Sequence, residues 1–487
     1  MKIILNIIKK INAAAALLIC AVLVLAPLTS CTEEEETETP EETASKKIAA
    51  YKTDLFDSAE TMTDIESISS YLVSWAENKS IECTTDTYGN IIMSVPGTEE
   101  YADAPRTVVV CTFDPTQFEY DVNSIAPALF IAKNCSEYGA LDVIFTPQTG
   151  GDLSGPKTLS ASYFPEGSSV FVLSSASAAV CSYNAAGYSS YNFSSAVTYE
   201  TIAQDAKSEY AAIKVSISGL AGGTPNASIS SYFNPIKELG NLLADLKTSA
   251  KIFRIASISG GTGVRVNPSS AEVTIVVGKD ALSSIGKFID KEINSIEGRY
   301  SDDIPDLEYT YEEVEVPDKV LSESSNNLFI SAIYTLLDGI YQKNSNSDAT
   351  TITNLGKVSL TDEKMIFEAT GSSLGAYDLS RLDNDYSTLC SLTGLTFNIV
   401  SSHESWVMSI DDEDYAAFIS DVKNAQDSFG SDNIEWGDCV QPTAATIISD
   451  VAVGCNMVNF VVDEKSSEEC AGTIASYMAA LTHTDEE

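Results

Sequence analysis

Nine residues, Thr107-Val108-Val109-Val110-Cys111-Thr112-Phe113-Asp114-Pro115, constrain this chain more than any other stretch. Three consecutive valines closed by a polar, proline-terminated end predict a buried strand that delivers its last side chains to one sheet edge. In open α/β sheets, ligands and reacting groups collect at that carboxyl edge. Here the edge carries a thiol, a hydroxyl, a phenyl ring and one carboxylate.

The flanking sequence repeats the theme. Ile65, Ile68, Leu72 and Trp75 share one face of a helix that Asp64 can cap. Asp86-Thr87-Tyr88-Gly89-Asn90 reads as a turn into an apolar strand. A small-residue helix at 125–134 and buried strands at 141–146 and 168–173 complete an α/β alternation. From about residue 211 the pattern changes. Strand 211–218, helix 233–249, strands 251–259 and 271–277 and helix 281–296 come first. After a polar, acidic link at 298–316 a similar order follows: helix 327–342, strands 356–360 and 365–370, helix 377–392 and strand 395–400. Two successive β-α-β-β-α-like halves predict an inserted domain built by duplication. The C-terminal part returns to alternation, with strands at 446–451 and 459–462. The last helix carries Ile474, Tyr477, Met478 and Leu481.

Charge and composition narrow the function. With 28 Lys+Arg against 70 Asp+Glu, the net charge is −42. Such a surface repels phosphate backbones, so nucleic acid is excluded as a partner. Only two histidines exist, His403 and His483, which limits acid–base and metal chemistry more than any motif does. Lys2, Lys9 and Lys10 precede an apolar run at 13–26 and then Leu28-Thr29-Ser30-Cys31. This predicts a signal peptide over 1–30. The ending resembles the bacterial lipobox, which makes Cys31 the lipidated residue. The acidic tether at 31–46 is extended and solvated, and resembles surface-export signals of Bacteroidota-type lipoproteins. The expected location is the cell envelope, lipid-anchored to the outer membrane.

Taken in order, Trp75-Ala76-Glu77-Asn78-Lys79, Asp86-Thr87-Tyr88-Gly89-Asn90, Leu141-Asp142-Val143-Ile144-Phe145-Thr146, Gly219-Leu220-Ala221-Gly222-Gly223 and Ser259-Gly260-Gly261-Thr262 with Asn267-Pro268 carry a resemblance. The chain resembles the co-catalytic zinc dipeptidases of the aminoacyl-histidine (Xaa-His) type, over about 54–481. The resemblance implies an α/β fold, with a mixed sheet between helices forming a catalytic-type domain at 47–190 and 403–487. An inserted, duplicated α+β lid domain at 191–402 interrupts it.

The same resemblance implies that the metal site is degenerate. Hydrolysis by paired zinc ions needs His and carboxylate ligands and a general-base Glu. The position of the family's first His is Thr112, and only its supporting Asp114 remains. The bridging carboxylate falls at Glu119 or Asp121. The Glu-Glu pair falls on Thr149-Gly150, the next Asp ligand on Ser174 or Ser175, and the last His near Asn456-Met457. In the lid, Thr224 stands where a His reaches the site, and Gly371 or Ser372 where an Arg holds the substrate carboxylate. Asn267 matches a substrate-contacting Asn. No zinc or other cofactor is therefore expected. A hard-cation site from Asp114, Glu119, Asp121 and Asp152 is the metal alternative.

The widely spaced Cys83, Cys111, Cys135, Cys181, Cys390, Cys439, Cys455 and Cys470 form no C-x-x-C pair. Cys111 with His403 and Asp438 could form a rebuilt hydrolytic site. Read alone, His403 is a loop residue and Asp438 a polar remnant. The expectation is a non-hydrolytic pseudoenzyme that binds a peptide or other ligand in the interdomain cleft, with Asp114, Glu119, Asp121, Asn267, His403 and Asp438 as candidate contacts. The alternatives are an active peptidase or amidohydrolase using the rebuilt site, and a structural subunit that docks a partner protein.

Overall fold

Strand 107–113 is buried at every residue, as a central parallel strand covered on both faces must be. The computed structural model that shows this describes residues 40–481, apart from 103, 177, 221, 224–232 and 431–432. The expected signal segment 1–30, Cys31, residues 31–39 of the expected tether, Thr224 and His483 lie outside the described residues; residues 40–46, expected as extended tether, are instead helical. Residues from Ala44 onward form one compact unit. Among the described residues, no helix is long and apolar enough to cross a membrane.

The chain begins with α1 (Pro40–Ser58), α2 (Ile65–Asn78), β1 (Glu82–Thr85), β2 (Ile91–Val95), β3 (Thr107–Phe113), α3 (Phe118–Asn134), β4 (Leu141–Pro147), β5 (Ser169–Ser175), β6 (Val180–Ser182) and β7 (Asn184–Ala185). A second group comprises β8 (Gly187–Ala196), β9 (Tyr199–Thr201), β10 (Tyr210–Ser218), α4 (Pro235–Thr248), β11 (Phe253–Gly260), β12 (Ala271–Gly278), α5 (Leu282–Tyr300) and β13 (Glu308–Val314). A third comprises β14 (Lys319–Leu321), α6 (Glu323–Thr335), β15 (Gly339–Lys343), β16 (Ala349–Leu360), β17 (Lys364–Ser373), α7 (Ala376–Thr393) and β18 (Thr396–His403). The chain closes with β19 (Trp406–Val407), α8 (Glu413–Phe429), α9 (Ala444–Ile448), β20 (Asn456–Val462) and α10 (Ser467–Ala480).

Two large sheets result. The first runs β1-β2-β4-β3-β5-β20-β6. Its centre, β4-β3-β5-β20, is parallel, and its edges are antiparallel. Helices α2, α3, α8 and α10 pack on it through Leu72, Ile125, Leu129, Phe418 and Ile474. As expected, Asp64 caps α2, in a capping box with Ser67.

The second sheet runs β13-β10-β12-β11-β16-β17-β8-β18 and has its own apolar core. Its order corrects the expectation of two successive halves. Counting outward from the central β11–β16 contact, one half reads β11, β12, β10, β13 and the other β16, β17, β8, β18. Each half is a strand, a helix, two strands, a helix and a strand, but the opening strand of the second half, β8, precedes the whole first half. The repeats are nested. Duplication is visible in sheet order, which sequence order conceals.

Two further expectations are corrected. Residues 446–451 are not a strand. Thr443 caps α9 in a capping box with Thr446, so local hydrogen bonds override the β-branched run. The helix expected over 327–342 ends at Thr335. There Lys237 Nζ from α4 donates to the carbonyls of Ile333, Tyr334 and Leu336, which closes its C-terminus. Gly339, at φ +92°, then starts β15.

Candidate functional site

The parallel register places Thr112 beside Thr146, and Cys111 between Phe145 and Leu173. The ends of β3, β4 and β5 thus form one edge. At that edge Asp114 is saturated. Its Oδ1 accepts from the Thr116 backbone N–H (2.9 Å) and hydroxyl (2.6 Å), and its Oδ2 from the Gly151 N–H (2.8 Å). The carboxylate fastens the 149–151 turn to the end of β3. Gly150 and Gly151 take φ of +59° and +69°, which favours glycine in that turn. Burial still pushes the Asp114 carboxyl above the usual carboxylate range, against the pull of these donors.

Inside the edge lies a chamber of about 10 Å³, lined by Thr112, Gln117, Asp121, Gln148, Ser174, Ser175, Arg265 and Thr443, among others. That is room for about one water molecule. Glu119 and Asp121 lie in opposite environments. Asp121 is 1% exposed and faces the chamber, whereas Glu119 is exposed on the outside. Burial, and then the neighbouring Asp114, push the Asp121 carboxyl well above its usual range. Its Oδ1 accepts from Gln117 Nε2 at 3.1 Å. Its Oδ2 has no protein partner, and neither do Gln117 Oε1, Gln148 Oε1, Ser174 Oγ and Arg265 Nη1.

Arg265, 2% exposed, comes from the β11–β12 loop of the other sheet. Its Nε donates to the Gly151 carbonyl. Its guanidinium lies over the Tyr188 ring, 4.1 Å from the centroid, a cation–π arrangement. The glycines beneath permit this approach: a Cβ on Gly263 would stand 2.2 Å from Gly150 Cα.

Zinc does not fit this donor set. One carboxylate, amides, hydroxyls and a guanidinium replace the imidazoles, thiolates and paired carboxylates that zinc takes. Among the described residues, no group of three or more His, Cys, Asp or Glu converges to hold a metal. The hard-cation alternative is dispersed as well. Glu119 faces outward, and Asp152 is engaged by the Thr149 and Ser154 N–H groups and the Ser154 hydroxyl.

Several expected contacts lie elsewhere. Asn456-Met457 begins β20, paired with Ser169-Val170, while Val462 pairs with Ser175. Six residues of strand at about 3.3 Å each put that pair roughly 20 Å from the edge where β3, β4 and β5 end. Pro442, Thr443 and Ala444 line the chamber there instead. Gly371 and Ser372 are buried in β17. A Cβ on Gly371 would meet Leu382, and the Ser372 hydroxyl donates to the Val440 carbonyl, so neither is placed as a substrate clamp. Asn267 is half-buried, and its backbone N–H donates to the Gly223 carbonyl (2.8 Å).

The rebuilt-site residues have separate partners. His403 Nε2 is 3.0 Å from Asp450 Oδ2, and its Nδ1 2.9 Å from the Glu404 carbonyl. Asp438 accepts from Asn184 (2.7 Å). Cys111 is fully buried, and its thiol is pushed up by desolvation. A nucleophile needs the opposite shift. The eight described cysteines are free thiols.

Outside the chamber a groove of about 950 Å³ runs between the two sheets' layers. Phe56, Met62, Gln117, Phe118, Glu119, Tyr120 and Asn123 line one side, and Leu220, Gly222 and Ser269 the other. Asp463, Glu464 and Lys465 complete its rim. Arg265, Gln117, Gln148 and Tyr188 were not singled out by sequence. The strand-end rule could have found Gln148, one residue past β4. Nothing local marks Arg265.

No family profile and no curated protein matches this chain. Among solved structures it is similar to the aminoacylhistidine dipeptidase of Vibrio alginolyticus, over 88% of this chain and 96% of that one, with 15% identity and a TM-score of 0.52. It is also similar to a tripeptidase of Staphylococcus aureus, over 89% and 99%, with 12% identity and a TM-score of 0.43. The first likeness establishes the fold: an Xaa-His dipeptidase-like α/β body with an inserted, duplicated lid.

Proposed function

We propose that this chain is a lipid-anchored envelope protein that keeps the Xaa-His dipeptidase fold without its hydrolysis and binds a peptide or similar ligand in the groove between body and lid. One observation carries the reading. The chamber at the strand ends has the residue chemistry of a plugged core, with Thr112, Ser174, Ser175 and Gln148 around the Arg265 guanidinium. Loss of a positioned acid–base group alone costs about 10²–10⁴ in rate. Here the base and the imidazole ligands are replaced together. The groove supports binding because it combines aromatic and apolar walls with a few polar groups. The anchor is supported by Leu28-Thr29-Ser30-Cys31 and the acidic tether.

The test is elemental analysis and calorimetry with zinc on the purified chain, followed by incubation with Xaa-His and other dipeptides. Zinc far below one per chain and intact dipeptides are expected. About two zinc per chain, with hydrolysis abolished by Asp114→Ala, overturns the reading. Cys31→Ala is expected to release the protein from membranes, and a variant that stays bound removes the anchor.

A further inference from the structure

We infer that Arg265 is the built-in cation of this site: a lid residue that stands where the fold would place a metal and locks the lid onto the body. The inference rests on the metal-free reading above and adds a mechanism to it.

The guanidinium is buried without a carboxylate within ion-pair distance among the described residues. Burying an unpaired charge is costly, so its place must be fixed by other contacts. Three are present. Nε donates to the Gly151 carbonyl and the backbone N–H of Arg265 to the Gly150 carbonyl (3.3 Å). The Tyr188 ring supplies its π face and packs in turn on Leu153 and Ile447. Lys157 Nζ, 5.8 Å from the same ring centroid, is the other cation near it.

Both anchors of the lock are held by further hydrogen bonds. On the lid, Asn354 Nδ2 donates to the carbonyls of Val264 (3.3 Å) and Val266 (3.0 Å), on either side of Arg265. On the body, Asp114 holds the Gly151 N–H. The chain therefore runs lid strand β16, Asn354, Arg265, Gly151, Asp114, body strand β3. The consequence for binding is a division of space. The inner chamber holds only about 10 Å³, so on this face of the molecule the room for a ligand is the 950 Å³ outer groove, which meets the chamber at Gln117.

The test uses the full chain. Phenylglyoxal labelling read by mass spectrometry compares Arg265 with the exposed Arg299 and Arg381. Arg265 is expected to react at least tenfold more slowly, with or without added zinc. Hydrogen exchange then follows residues 149–153 and 262–266 in wild type, Arg265→Ala and Arg265→Lys. Alanine is expected to raise exchange in both loops tenfold or more, and lysine by less, while β3 and β12 keep wild-type protection. Labelling of Arg265 at the rate of Arg299, or unchanged exchange in the alanine variant, overturns the lock and leaves the metal-free reading standing. Stoichiometric zinc uptake that exposes Arg265 to the reagent overturns both. The labelling arm needs no variant, so a variant that fails to fold does not remove the test.

Discussion

Gly263→Ala isolates the lid–body contact from charge. Gly263 does not adopt a left-handed φ, so alanine adds no backbone strain there. Its methyl would stand 2.2 Å from Gly150 Cα and 2.7 Å from Gly150 O. Relief needs more than an ångström of separation, because carbon–carbon contact is optimal at about 3.5–4.0 Å. Neither wall is free to give: Asn354 holds the lid loop and Asp114 the body turn. Separation breaks the bond from the Arg265 N–H to the Gly150 carbonyl, already 3.3 Å long, and stretches the one from Nε to Gly151. At about 1 kcal/mol for each hydrogen bond, and with lost packing, the cost is about 2–3 kcal/mol. Borne by local opening, that is about a 30- to 150-fold increase in the opening constant. Hydrogen exchange read by mass spectrometry over 149–153 and 262–266 measures it directly. Gly222→Ala is the control, since among the described residues its Cβ meets nothing within 4 Å. Exchange within threefold of wild type in both loops refutes the reasoning, because it means that the lid does not rest on the body in solution.

Two other predictions concern stability. Asp121 has a folded pKa above its unfolded value, so its contribution is present below about pH 4 and is lost as pH rises through the folded pKa. The difference in urea midpoint between Asp121→Asn and wild type is expected to grow in the variant's favour from pH 4 towards neutrality, and a constant or reversed difference refutes this. Gly298→Ala, on the exposed face of α5 where a Cβ meets nothing, is expected to stabilise the protein by about 0.5–1 kcal/mol. A thermal midpoint that falls contradicts the helix assignment.

The sequence by itself determined what local pattern encodes. The valine run of β3 was legible as a buried strand, and Asp64 as a cap for α2, because burial on both faces and capping are written within a few residues. The supply of imidazole was legible too: the sequence holds two histidines, His403 and His483, and no arrangement of the chain can add to them. Local pattern misled where a distant group set the outcome. Helix α6 stops at Thr335 because Lys237, almost a hundred residues earlier in the chain, takes its last carbonyls. Order along the chain misled in the lid, where β8 joins a half whose remaining strands follow an entire repeat. That Asp121 is buried and Glu119 exposed depended on which side of the first turn of α3 faces the sheet edge. Arg265 was the least legible of all. A lone arginine in a glycine-rich loop looks solvent-exposed, and only packing against Gly151, 114 positions away, turns it into a buried cation. Contacts across such separations have no periodicity for a sequence to display; they are fixed by the docking of two sheets, each with its own core.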